Sequence, residues 1–116
     1  MQKFDYSKTQ NHAVGIVDVA RWEQYSQAND FPFKAMWYCI PPGGNSPLDQ
    51  HPEIELSLVM RGEATVESGG TRTVVKQGSA FLMSTTEPHI VHNTSDEPLL
   101  IFSAYWMPDG VVEGQP

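Results

Sequence analysis

Cysteine is nearly missing from this chain. Cys39 stands alone among 116 residues, so no internal disulfide can staple the fold, and a lone thiol fits a reducing compartment. Cations are scarce as well: seven Lys and Arg face fourteen Asp and Glu, for a net charge of -7, and they are scattered singly. Without a basic patch, nucleic acid and anionic membrane surfaces are excluded as partners, and a polyanionic substrate would be an awkward guest. No run approaches the roughly 18 apolar residues that a membrane span needs. The first ten residues carry no apolar stretch behind their charges, so no signal peptide is expected and a cytoplasmic location is.

What is present describes a packed domain. Hydrophobic residues make up 40% and charged residues 18%, which suits one domain with a real core rather than disorder. Short β-branched and aromatic runs recur every 8–12 residues or so, separated by Gly, Pro, Asn and Asp, the mark of an all-β sandwich or barrel. The expected strands are 13–19, 33–40, 55–60, 64–67, 72–76, 80–83, 88–92 and 99–106, with a short extended piece at 48–51. Residues 19–25 read as a short helical turn, with 19–28 either helix or loop. Residues 1–12 are expected to form an arm and 108–116 a tail around a core of about 13–107. Along 55–60, Glu55, Ser57 and Val59 share one face, and Leu56, Leu58 and Met60 the other.

The chemistry gathers in two stretches, 43–62 and 78–93. Asp49 and His51 are two apart and point the same way on an extended chain. Glu55 follows a turn begun by Pro52 and can come back to face them. His89 lies far along the chain, so its approach is a tertiary expectation. Imidazoles with carboxylates suit Fe(II), Mn(II), Ni(II) or Zn(II), and the absence of a thiolate argues against a structural cysteine-type zinc site. Asp49, His51, Glu55 and His89 are the candidate ligands of one divalent transition metal.

The order Gly43, five residues, Asp49, one, His51, three, Glu55, six, Gly62 resembles the first motif of the cupin superfamily, G(X)5HXH(X)3–4E(X)6G. Gly78, five, Ser84, one, Thr86, two, His89, three, Asn93 resembles the second, G(X)5PXG(X)2H(X)3N. The short spacer between them is that of small bacterial cupins. The resemblance implies a single-domain jelly-roll β-barrel with a metal inside, held at His51, Glu55 and His89. Asp49 stands where the family usually has its first histidine, and Ser84 and Thr86 replace proline and glycine. An aspartate at that position can ligate, hold a ligand water, or act as acid or base. Asp49 and Glu55 are accordingly the candidate catalytic carboxylates.

Several other residues carry weaker signals. Glu53 is off the motif and expected at an exposed turn, His92 is expected to face away from His89, and His12 has no role. Cys39, Trp37, Met83, Tyr105 and Trp106 are candidates to line a pocket, though core packing is the commoner fate of each. Arg61 and Arg72 fall near turns, which leaves a neutral, weakly anionic or cationic small molecule as the expected ligand. The stripe of Leu56, Leu58 and Met60 on the outside of a barrel needs cover from the arm or a second subunit, so a homodimer is expected. The functional expectation is a metal-dependent small-molecule enzyme, with dioxygenase and isomerase, lyase or cyclase chemistry equally open. The alternative is a non-catalytic module that binds a small ligand or metal. Sensor versions usually adjoin a DNA-binding domain, and no helix-turn-helix pattern occurs in this sequence.

Overall fold

The computed structural model describes residues 1–6, 10–25 and 30–108. Nine strands are present among them: β1 (His12–Val14), β2 (Val17–Arg21), β3 (Lys34–Ile40), β4 (Ile54–Arg61), β5 (Glu63–Ser68), β6 (Thr71–Lys76), β7 (Ala80–Met83), β8 (Ile90–His92) and β9 (Leu99–Trp106). They form two antiparallel sheets, one of six strands in the order β1-β2-β3-β9-β4-β7 and one of three in the order β6-β5-β8. This is the jelly-roll barrel that the strand spacing and the two motifs imply.

The two-residue period sorts side chains cleanly. Across β4 and β9, Glu55 lies opposite Tyr105, Ser57 opposite Ser103, and Val59 opposite Ile101, all buried and all facing the interior. Ile40, Val59, Leu99 and Ile101 are fully enclosed and form the floor of the core with Val66 and Val91 from the smaller sheet. Truncating one such aliphatic side chain costs roughly 2–5 kcal/mol in a close-packed interior. Trp37 and Tyr38 part to opposite faces, Tyr38 inward and Trp37 outward.

Two expectations near the start of the chain are corrected. The single strand over 13–19 is a hairpin: β1 and β2 pair through Val14 and Val17, and Gly15 turns the chain at φ 63°. A left-handed glycine inside a β-branched run is invisible to propensity, which sees only a continuous strand. The helical turn expected over 19–25 is confined to a 3-10 turn at Trp22–Gln24, because β2 runs on to Arg21. Residues 26–28 of the uncertain 19–28 stretch lie outside the described residues, as does the tail beyond residue 108.

The outer face of the larger sheet is covered over only part of its width. Phe4 packs against Trp22, Tyr25 and Phe31, while Trp22 meets Trp37 and Phe102. That aromatic layer lies over β3 and β9. Farther along the same face Leu56, Met60 and Leu82 remain exposed.

Candidate metal centre

Four donor side chains converge at one end of the barrel. Single ligand atoms of Asp49, His51, Glu55 and His89 all lie within 4.8 Å of one another. Glu55 comes from the start of β4, and Asp49 and His51 from the loop before it. His89 arrives from the segment leading into β8 on the other sheet. Its approach is fixed by the backbone: Asp49 and His89 exchange both N–H···O bonds, each at 2.9 Å. Thr86 N–H donates to the His51 carbonyl at 2.8 Å, tying the second motif's turn to the first motif's loop.

The histidines are oriented from behind. His51 Nδ1 lies 3.1 Å from the Glu53 carbonyl, and His89 Nδ1 lies 3.1 Å from the Glu87 carbonyl. A carbonyl oxygen only accepts, so each Nδ1 carries a hydrogen, and each Nε2 is the ring atom directed at the cluster. His51 Nε2 sits 3.1 Å from Glu55 Oε1 and 3.5 Å from Asp49 Oδ2, and His89 Nε2 sits 3.8 Å from the same Asp49 oxygen. Two imidazole nitrogens and two carboxylates facing one point form a cluster that a cation between them would stabilise. The other Glu55 oxygen accepts from Ser57 at 3.1 Å, and Ser57 shares a 2.7 Å bond with Ser103. Tyr38, a phenol whose ionisation burial and the Glu55 charge both oppose, bonds to the same two serines.

The electrostatics agree. The hydrogen bond to Glu55 raises His51 to about 9 against the opposing pull of burial, with Asp49 and Glu53 adding to the rise. Burial pushes the Glu55 carboxyl up, but His51's hydrogen bond and the His89 and His51 charges outweigh it and hold Glu55 below its ordinary value. A proton thus supplies the positive charge that the cluster demands when nothing else does. The donor set fits a divalent transition metal: bonds of about 2.0–2.2 Å from imidazole nitrogen and carboxylate oxygen span such separations, and two carboxylates neutralise the ion. His51, Glu55, His89 and Asp49 would hold it.

The cluster lies in a cavity of about 300 Å³ whose walls include Val17, Val19, Met36, Leu48 and Val91. Of the residues singled out from sequence, Tyr105 lines this cavity; Trp37 and Trp106 stand on the outward face. Cys39 pairs with Leu100 on that same outward face, beside the Tyr6 phenol, and Met83 is packed in the core. Glu53 is not at an exposed turn. It is half-buried, lines the cavity, and brings its carboxylate within 3.7 Å of His51 Nδ1. His92 faces away and bonds Glu67 at 2.9 Å, and Arg72 pairs with the same carboxylate. Asn93, the closing residue of the second motif, is a buried brace: its amide donates to the Ile40 and Glu97 carbonyls and accepts from Ser95. Arg21 also lines the cavity, and the sequence reading gave it no place.

Two antiparallel sheets closing over an inward His, Asp and Glu cluster define the cupin class of barrel. The Cupin domain family model matches residues 36–105, more than half of the chain, and the chain belongs to that family. Among solved structures it is similar to a predicted oxalate decarboxylase from Thermotoga maritima, at 20% identity and a TM-score of 0.80, covering 92% of this chain and 100% of that one. It is also similar to the polyketide cyclase RemF from Streptomyces resistomycificus, at 14% identity and a TM-score of 0.76, covering 90% of this chain and 78% of that one. A Cupin_2 domain of an XRE family transcriptional regulator from Enterobacter cloacae matches at 19% identity and a TM-score of 0.66, covering 81% and 99%. At these identities the likeness is one of fold.

Proposed function

We propose that this protein is a metal-dependent enzyme acting on a small organic molecule, with one divalent ion held by His51, Glu55, His89 and Asp49. The observation that carries this is the pair of imidazole Nε2 atoms and two carboxylates converging inside a cavity with apolar walls. A divalent ion bound there polarises a carbonyl or hydroxyl oxygen, or takes up O2 if it is redox-active. The residues divide the remaining work. Glu55, 4% exposed and braced by Ser57, is a fixed donor. Asp49 has a side chain 52% exposed, so it can swing between the ion and a substrate proton. The apolar walls exclude water from the rest of the substrate.

Oxygenation and non-redox isomerase, lyase or cyclase chemistry both fit this site, and the likeness to a predicted oxalate decarboxylase and a polyketide cyclase is consistent with an enzyme. The second reading is a ligand-binding module, supported by the likeness to a regulator's cupin domain. Elemental analysis of the purified protein, beside a His51→Ala/His89→Ala variant, is the first test. Near one equivalent of iron, manganese, nickel or zinc is expected, lost in the variant. Turnover of a mixed pool of hydroxy, oxo and enol compounds by the loaded protein, followed by NMR, separates the readings. Turnover that survives in folded His89→Ala protein would overturn the metal-centred one.

We also propose a homodimer. The aromatic layer shields one part of the larger sheet's outer face, leaving Leu56, Met60 and Leu82 exposed beside β7, the last strand of that sheet. A second copy presenting the same patch about a two-fold axis would cover both.

A further inference from the structure

We propose that Arg21 and Tyr105 form an anion-recognition end of this cavity, and that its ligand is a small monocarboxylate whose other oxygen group meets the metal centre. This rests on the metal reading above and adds the substrate class to it. The inward face of the larger sheet carries a row of side chains. Arg21 on β2 lies opposite Met36 on β3, and Tyr105 on β9 lies opposite Glu55 on β4. Arg21 Nη1 reaches past β3 to donate to the Tyr105 hydroxyl at 3.3 Å. The row therefore runs from a guanidinium, through a phenol, to the carboxylate of the cluster.

The charges along that row set the polarity of a ligand. Asp49, Glu53 and Glu55 line the cavity as carboxylates, and Arg21 is the single permanent cation among the described lining residues. Three carboxylates, one guanidinium and one divalent ion would leave the lining neutral, and Glu23 and Lys34, which act on Tyr105 with opposite signs, do not change that balance, so a monoanion meets less repulsion here than a dianion. Arg21 makes no ion pair with any of the described residues, and a guanidinium carries five N–H donors in a planar fork, of which one is used on Tyr105. Tyr105 accepts that bond and keeps its own hydrogen to donate. A carboxylate placed between them would receive charge-assisted bonds from one and a hydroxyl bond from the other. The apolar walls at Val17, Val19 and Met36 suit a short hydrocarbon link between the two ends, and about 300 Å³ holds only a small one. The weak-anion option left by the sequence is thus the one with a partner in the structure.

The test is calorimetric titration of zinc-loaded protein with ω-hydroxy carboxylic acids of two to six carbons and with their primary amides. At least one acid is expected to bind, and its amide about tenfold more weakly or worse. Arg21→Met should keep its equivalent of zinc yet lose about tenfold or more of the acid's affinity. Tyr105→Phe should lose less, and Arg21→Lys should recover part of the loss. If Arg21 merely props Tyr105, Arg21→Met and Tyr105→Phe will weaken acid and amide alike. Equal binding of acid and amide, unchanged acid affinity in Arg21→Met, or no binding by any acid would each overturn the proposal. Failure of the wild type to take up zinc would instead sink the metal reading. The acid-against-amide comparison on metal-free wild type and Arg21→Met would then decide the anion end by itself.

Discussion

At the scale of single residues, a proton and the proposed metal compete for one atom, His51 Nε2. His51 is raised to about 9, so in the metal-free protein it is protonated through neutral pH. A raised histidine stabilises the fold fully below its ordinary value of 6.5, and that contribution fades as pH climbs through about 9. Glu55 is lowered, so its contribution is present above 4.5 and is lost as pH falls toward its folded value. Metal-free protein should therefore be most stable between 4.5 and 6.5, where both contributions are present in full, by denaturant midpoints across pH. Binding of an ion must displace the His51 proton, so apparent zinc affinity should rise roughly tenfold per pH unit from 6.5 toward 9. A flat affinity over that range, measured with a competing chelator, would mean that His51 is neutral or does not ligate. The four donors were legible in the sequence because they sit at motif spacing. Arg21 was not: a helical turn assigned over 19–25 destroys the strand phase that sends Arg21 inward.

At the scale of elements, the two motifs divide into the proposed metal ligands and residues that let the backbone turn. Gly62 closes the first motif at φ 87°, and a Cβ there would come within 2.8 Å of the Pro98 carbonyl oxygen. Gly62→Ala should therefore cost about 1–3 kcal/mol from left-handed strain, with the carbonyl clash adding to it. Thr86 is the opposite case. It replaces the second motif's glycine yet holds φ 59°, a conformation that β-branched residues rarely adopt. Its N–H bond to His51 and the Gln50 side chain's bond to its carbonyl keep it there. Thr86→Gly should raise the unfolding free energy, by up to about 1 kcal/mol once glycine's greater chain entropy is subtracted. Urea unfolding of both variants measures the pair, and a destabilised Thr86→Gly would show that the threonine side chain matters more than its φ. Most strands were legible from alternation; the turn at Gly15 was not, since nothing local distinguishes Val14-Gly15-Ile16-Val17 from a strand that runs straight on.

At the scale of the whole molecule, the outer face is where the proposed association would occur. Leu82 is 58% exposed, and Leu56 and Met60 are each 42% exposed, on a chain whose net charge is -7. Sedimentation at micromolar concentration should give a dimer, and Leu56→Glu/Leu82→Glu should give a folded monomer with its metal content intact. A wild-type monomer would leave those side chains bare and end the proposal. The stripe itself was readable in advance from alternation along β4. How far the arm would shield the sheet was not, because that depends on how Phe4 and Trp22 pack over strands distant in sequence. Among the described residues no helix is long and apolar enough to cross a membrane.

The paired backbone bonds between Asp49 and His89 join the loop before β4 to the segment that enters β8, and so stitch one sheet to the other. An ion on those same two residues is a rivet through that seam. Release of the rivet and parting of the seam become one event, so slow metal exchange and slow amide exchange at Asp49 and His89 should share a single rate.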